Sequence, residues 1–194
     1  LNETHAYTIV IAAGDATSST AAELTAINGA TSLAVNASAI TALASDNISN
    51  INTLLTAGND TAQFTSASFG SLTGVTVSDT TLNGATLASA VDQANSATGD
   101  TSVVFTITAA DEIQGTEANF TALLADEGNS QISITDQNLN VNSGTVSVAN
   151  ANLLSGTTSG TVTASITTTE DVDTLKTLND CLLYTSPSPR DTRE

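Results

Sequence analysis

Short runs of alternating apolar residues recur along the chain, and they predict β-strands with one buried face. Their apolar members are Ile9 and Ile11, Val75 and Val77, Val103, Phe105 and Ile107, and Ile132 and Ile134. An acidic residue follows each of several runs, and these residues are Asp15, Asp79, Asp111 and Asp136. Because the short Asp side chain accepts backbone N–H bonds, each position predicts a turn or a helix start.

Segments rich in Thr, Ala and Glu come next, with apolar residues three or four positions apart. This spacing predicts short helices of roughly two or three turns. The predicted helices cover residues 20–27, 47–56, 85–95, 116–125 and 170–178. Glycines, which are typical of helix ends, lie at the expected ends of these helices or in the following turns: Gly29, Gly58, Gly99, Gly128 and Gly156. Residues 57–72 and 137–150 fit neither pattern and are interpreted as insertions or strand-only segments.

The chain also repeats itself. Residues 11–27 align without gaps to residues 107–123, with identities at seven of seventeen positions. Residues 27–38 align to residues 154–165 in a different register. A third match pairs Ile48-x-x-Ile51-x-x-Leu54 with Val172-x-x-Leu175-x-x-Leu178. These matches predict diverged copies of one unit.

The unit consists of a strand, an acidic turn, a short helix and a glycine. Stacked copies would pair their strands in parallel and place their helices along one side. We therefore expect an α/β repeat, that is, a solenoid-like array of parallel strands with short helices. The alternative is an all-β solenoid or sandwich, because the Thr, Ser, Val and Asn content suits strands. With four Phe and no Trp, a core would be thin, which favours stacked layers.

The C-terminal residues resemble the translation of a laboratory DNA sequence. One reverse translation of residues 181–191, CLLYTSPSPRD, resembles the transposase end and read adapter used in sequencing-library preparation. We therefore expect residues 181–194 to be an artefactual tail, exposed and outside the fold. Residues 1–180 would then be an internally repeated segment that is truncated at both ends.

The net charge of −17 excludes several classes of partner. Without the tail, Lys176 is the only basic residue, against eighteen acids (twenty minus Asp191 and Glu194). Nucleic-acid binding needs many cationic contacts to phosphate, and an anionic membrane surface would repel the chain. No run of about eighteen apolar residues predicts a membrane span. The absence of Cys from residues 1–180 is typical of extracellular bacterial proteins that lack disulfides.

The sequence predicts no catalytic site. His5 is the only histidine, and it has no recognisable nucleophile motif around it. Adjacent carboxylates occur at Asp111-Glu112, Asp126-Glu127 and Glu170-Asp171. Neighbours in sequence usually point apart, so turns and helix starts are the expected use of these acids. Thr-x-Thr pairs at Thr106/Thr108 and Thr161/Thr163 are too few to indicate an ice-binding ladder.

Calcium is the cofactor that these acids suit best, although no metal ligand can be assigned. Carboxylates at successive strand ends could share Ca²⁺, which takes six to eight oxygen ligands. Asp171-x-Asp173 is the densest place, but the known calcium-loop spacings are absent. The sequence therefore predicts no bound cofactor and keeps calcium as an alternative.

Two blocks carry a resemblance to a known class of protein. AAELTAINGATSLAVNAS (21–38) and SGTTSGTVTASITTTEDVDTL (155–175) resemble the Thr/Ala/Asp-rich arrays of giant bacterial surface and adhesin-like proteins, including S-layer and RTX-associated ones. The resemblance covers most of residues 8–180. It implies secretion, a stalk or array role and calcium dependence elsewhere in the parent protein.

We accordingly expect a structural or adhesive repeat segment of a large secreted or cell-surface bacterial protein. Its partners would be adjacent repeats of the same chain, and cell-surface glycans or other surface proteins. A calcium-stabilised binding module is the first alternative. A carbohydrate-active β-solenoid domain is the second, although few aromatic residues are present to stack against sugars.

Overall fold

The computed structural model describes residues 5–66 and 68–179. The tail predicted for residues 181–194 lies outside the described residues. Within them, the chain is an α/β structure with parallel sheets and short helices, and it forms no closed barrel. The prediction of an α/β class is therefore confirmed, and the all-β alternative is wrong, because helices follow strands along the described chain.

The described elements alternate along the chain. The strands are β1 (Ala42–Asp46), β2 (Gly74–Val77), β3 (Thr81–Asn83), β4 (Val104–Thr106), β5 (Glu112–Thr116), β6 (Asn138–Ser143) and β7 (Val162–Thr163). The helices are α1 (Ala21–Gly29), α2 (Ile48–Gly58), α3 (Gly84–Thr98), α4 (Glu117–Gly128), α5 (Val148–Thr157) and α6 (Val172–Leu175). A short 3-10 turn covers Ala13–Asp15. A helix is present in every predicted segment, although α6 covers only four of residues 170–178, and α5 is additional.

The strands form two sheets in which every pairing is parallel. One sheet has the order β1-β2-β4 and the other β3-β5-β6-β7. Apolar residues stand in register across both sheets, as the columns Leu43, Val75, Phe105 and Leu82, Ile113, Leu139, Val162. Isolated parallel bridges extend the same pattern at Val10–Asn36, Val35–Phe64 and Val146–Ile166. Side chains in register bury one another, which fixes the strand pairing.

The helices pack on one another in sequence order, α1 on α2, α2 on α3 and α3 on α4. Each begins at a residue whose side chain accepts a hydrogen bond from the backbone N–H three positions later. These N-caps are Thr20, Asn47, Asn83, Thr116, Ser147 and Asp171. Thr20 and Thr116 both form a capping box, so the sequence match between residues 11–27 and 107–123 corresponds to a shared helix start.

Three sequence interpretations differ from the structure. Ile9 and Ile11 flank a single isolated bridge, Val10–Asn36, and their segment forms no strand in the described chain. Ile132 and Ile134 are buried, but their segment forms no strand. Ser130, two positions before Ile132, has a φ of 61°, which turns the backbone out of an extended path. Residues 137–150, interpreted as an insertion or a strand-only segment, contain a strand, β6, and also the start of α5, so they are neither an insertion nor strand-only.

The core is one cluster of buried apolar residues that extends from Ile11 to Leu154, with partly buried residues packed against it up to Leu178. All four Phe are buried, and Leu, Ile and Val supply the other bulky apolar groups. Phe64 and Phe69 lie in the loop after α2, with ring centroids 5.2 Å apart. Gly58, the last residue of α2, lies against the Phe69 ring. A Cβ at this position would lie 2.6 Å from the ring, so a larger residue would not fit without a shift. Phe64 and Phe69 therefore pack this loop against the end of α2.

Candidate functional site

A cleft of about 510 Å³ opens between β4 and residues 130–137. Polar side chains surround an apolar floor that includes Phe105 and Ile132. The polar groups are Thr106, Thr108, Glu127, Ser133, Thr135 and Asp136, together with Ser130 and Gln137. The cleft exists because residues 130–137 turn instead of pairing as a full strand beside β4. A single backbone bond of 2.7 Å, from the Phe105 N–H to the Gln131 carbonyl, ties the two together.

The polar groups of the cleft are held by protein partners. The Ser133 and Thr135 hydroxyls are 3.0 Å apart and share a hydrogen bond. Glu127 Oε1 accepts from the Ile134 N–H at 3.3 Å, and Asp136 Oδ1 accepts from the Ser159 hydroxyl at 3.3 Å. This arrangement offers hydroxyls and carboxylates that can exchange hydrogen bonds with a polar ligand.

Three other carboxylates reach across to a helix that lies earlier in the chain. The Ala22 N–H donates to Asp46 Oδ2 at 2.8 Å, and the Ile48 N–H donates to Asp79 Oδ2 at 2.7 Å. The Val148 N–H donates to Glu170 Oε1 at 3.1 Å. Each bond satisfies an N–H that has no partner within its helix and places negative charge at the positive end of the helix dipole. We call these three bonds the carboxylate links.

Glu170 and Asp171 are adjacent in sequence, but their carboxylates bind different helices. Glu170 caps α5, whereas Asp171 accepts from the Thr174 N–H at 2.7 Å and caps its own helix, α6. The hydrogen bond from the Thr174 N–H lowers the pKa of Asp171. Asp173, the other acid of the predicted dense place, pairs with Lys176 at 2.6 Å. These acids therefore have separate structural partners.

The acids of the other two adjacent pairs, Asp111-Glu112 and Asp126-Glu127, form no shared metal site among the described residues either. Glu112 accepts from the Gln114 amide and, at 3.5 Å, from the Asn140 amide of the next strand. Glu127 faces the cleft, but its neighbour Asp126 is only 8% exposed. Among residues 5–66 and 68–179, no three His, Cys, Asp or Glu side chains lie close enough together to hold a metal ion.

Asp126 is the most unusual carboxyl group in the described structure. Its Oδ2 is buried and has no hydrogen-bond partner among the described residues. Burial raises its pKa to about 6, and the negative charge of Asp92 on α3 adds to the effect. Sequence patterns do not predict this burial, because Asp126 lies near the polar C-terminal end of a helix.

Amide side chains form a second set of contacts between successive helices and loops. Asn95 and Gln131 exchange hydrogen bonds of 2.6 Å and 3.3 Å. Asn59 Nδ2 donates to Gln93 Oε1 at 2.8 Å, and Asn28 Nδ2 donates to Gln63 Oε1 at 3.1 Å. Sequence reasoning missed these pairs because Asn and Gln are too widely spread along the chain to single out partners.

His5, the lone histidine, stacks on Tyr7 with ring centroids 5.3 Å apart. Its backbone carbonyl accepts from the Ser32 N–H at 2.7 Å. Within the described residues its ring has no hydrogen bond to a serine hydroxyl, so no Ser-His pair is formed there.

None of the described helices has the length and apolar character needed to cross a membrane. Comparison with protein-family models, with curated proteins and with solved structures found no match.

Proposed function

We propose that this chain is a structural segment of a solenoid-like repeat array in a large secreted or cell-surface bacterial protein. A unit in this proposal is a strand together with the helix that follows it. The carboxylate links are the observation that carries the proposal. Each joins a helix to an acid from a later part of the chain, so that each such helix start depends on its neighbour.

The spacing of the paired strands supports stacking of units. Residues in register are between 20 residues apart (Val146 and Ile166, 166 − 146) and 32 apart (Leu43 and Val75, 75 − 43). Solenoid repeats have about this length, and each contacts mainly its neighbours. Parallel pairing and the order of helix packing both follow the sequence, as a one-dimensional array requires.

The charge supports a long, extended role. At −17, the chain repels copies of itself and remains soluble when many units are linked. The acids that supply this charge do not destabilise the fold as isolated charges would, because several of them also cap helices. Secretion and a place at the cell surface follow from the resemblance to surface arrays. Labelling of intact source cells with an antibody against the chain tests this, and labelling only after lysis would contradict it.

The cleft beside β4 supplies the adhesive part of the proposal. Its hydroxyl and carboxylate groups are suited to the hydroxyls of a surface glycan, and its opening leaves them accessible. Binding to a panel of immobilised glycans tests this part. Replacing Thr106 by Val should weaken any binding found at the cleft, and the same change at Thr161, directly before β7 and outside the cleft, should not.

Deletion of one register repeat tests the structural proposal. Removing residues 43–74 places Val75 where Leu43 was, a loss of 32 residues (75 − 43) that keeps the strand register. We expect the shortened chain to fold, with circular dichroism of the same α/β type. A matched deletion of 32 residues, 59–90 (91 − 59), cuts into α3 and should not fold. Loss of structure in the in-register deletion would contradict a repeat array.

A further inference from the structure

The last strands of the described chain bury their apolar residues less than the strands they pair with. Val162 is in register with Leu139, and Ile166 is bridged to Val146. Leu139 and Val146 are 0% exposed, whereas Val162 and Ile166 are only half-buried. Since each pair occupies the same position in successive units, the difference reflects what lies on the far side of the last unit.

Helix α6 shows the same difference from α2. The sequence match aligns Val172, Leu175 and Leu178 with Ile48, Ile51 and Leu54. The three residues of α2 are at most 4% exposed. Val172 is 78% exposed, and Leu175 and Leu178 are half-buried. Residues 172–178 therefore have the apolar spacing of the buried helix α2, but their apolar side chains are exposed or only half-buried.

A later unit supplies the cover of α2. Strand β2 pairs with β1, α3 packs against α2, and Asp79 caps the N–H of Ile48. These contacts come from residues 74–98, directly after the loop that follows α2. Nothing equivalent lies beyond α6 among the described residues.

We propose that the surface formed by Val162, Ala164, Ile166, Val172 and Leu178, called the end face, docks one further strand–helix unit of the kind formed by residues 74–98. The inference rests on the proposed repeat array and identifies the surface at which the next unit of the array would pack. The new strand adds in parallel beside β7, and the new helix covers Val172. Residues 172–178 match residues 48–54 of α2, the helix on which α3 packs, and this argues for a unit of the same kind as the occupant of the end face.

A second copy of the whole chain fits the end face less well. Each copy carries a charge of −17, so two free copies repel each other before their apolar residues meet. A unit in the same polypeptide avoids this cost, because its tether raises its effective concentration.

An extended chain tests the inference. Residues 55–98 are joined directly after Leu178, because Leu178 aligns with Leu54, and they replace residues 179–194. We expect a single unfolding transition in urea with a higher midpoint than that of the original chain. A control extension with residues 55–98 in scrambled order should give no rise.

The substitution Val172→Asp distinguishes docking of the added unit on the end face from an effect of chain length alone. In the original chain this exposed position should tolerate Asp with little change in the folding equilibrium constant. In the extended chain the Asp would be buried, and the constant should fall about tenfold or more. Leu153→Asp is the matched control, since Leu153 is 55% exposed on α5 outside the end face. Its effect should be the same in both chains.

Three results would overturn the inference. They are a separate second transition in the extended chain, equal effects of Val172→Asp in both chains, and dimerisation of the original chain that Val172→Asp abolishes. The last result would make a second copy the occupant. Should the extension fail while the in-register deletion of residues 43–74 still folds, the end face is refuted and the repeat array is not.

Discussion

The carboxylate of Asp79 accepts a hydrogen bond of 2.7 Å from the backbone N–H of Ile48, the first residue of α2. The two residues are 31 positions apart (79 − 48), and the bond joins the start of one helix to the strand region after it. Asp46 and Glu170 do the same for α1 and α5. Acids that carry the net charge of the chain thus also hold its elements together.

Removal of this bond should weaken the fold measurably. Asp79→Ala leaves the Ile48 N–H without its acceptor, and we expect the free energy of unfolding to fall by about 1 kcal/mol. Urea unfolding followed by circular dichroism measures the loss. Asp15→Ala is the control, because Asp15 is exposed and its carboxylate accepts no hydrogen bond from the described residues. Equal effects of the two changes would show that the bond is not a specific link.

The buried carboxyl of Asp126 should make stability depend on pH in the direction opposite to a helix-capping acid. Its pKa in the folded state, about 6, lies above the ordinary value of 3.8, so the folded state binds more protons between these values. The associated stability is present at pH below about 4 and is lost as pH rises through about 6.

Asp126→Asn removes this ionisation and keeps the shape of the side chain. We expect the variant to gain on the order of 1 kcal/mol at pH 7, less than the full pKa shift implies, because water screens the charge of exposed Asp92. Its own dependence on pH between 4 and 7 should be flatter than that of the natural chain. Asp92→Asn should have a smaller effect of the same sign. Thermal unfolding at a series of pH values distinguishes these outcomes, and a less stable Asp126→Asn variant at pH 7 would contradict the expectation.

Two glycines at helix ends should respond to Ala in opposite directions. At Gly58 a Cβ would lie 2.6 Å from the buried ring of Phe69, so Gly58→Ala should cost about 1–3 kcal/mol. At Gly29 nothing lies within 4 Å, and Ala should be neutral or stabilise α1 by up to about 1 kcal/mol. Urea midpoints of the two variants give the comparison. Equal destabilisation would show that the loss of Gly, and not the contact with Phe69, is responsible.

Calcium should have little effect on the unfolding of this segment. Asp46, Asp79, Glu170 and Asp171 already accept backbone N–H bonds, and Asp173 pairs with Lys176. We expect the same thermal midpoint in millimolar Ca²⁺, in chelator, and in Mg²⁺ at matched ionic strength. A rise that is specific to Ca²⁺ would favour the calcium-stabilised module instead.

The sequence predicted the helices well because their signals are local. Thr20 and Thr116 start helices at equivalent places in two matched segments, and both form the capping box that their neighbours allow. Helix α5 was missed since its first turns contain Asn150 and Asn152, which usually favour turns. For residues 137–150 the sequence leaves an insertion and a strand-only segment open and does not single out β6, because Asn alternates with Leu139 and Val141.

Local sequence patterns could not predict the contacts of the candidate site. Glu170 was recognised as one of an adjacent acid pair, but its partner Val148 lies 22 residues earlier (170 − 148). The burial of Asp126 depends on how α3 and α4 pack, and the cleft depends on the turn at Ser130. Each of these features is set by tertiary packing, which periodicity does not encode.

Urea unfolding of the chain that lacks residues 43–74 tests the repeat array most directly. The expected result is one cooperative transition whose m value falls by roughly one sixth, in proportion to the 32 of 194 residues removed. Such a result means that one unit can be taken out and the remaining units still stack. A chain that shows no cooperative transition after this deletion would contradict the array and indicate a single fold in which every segment is required.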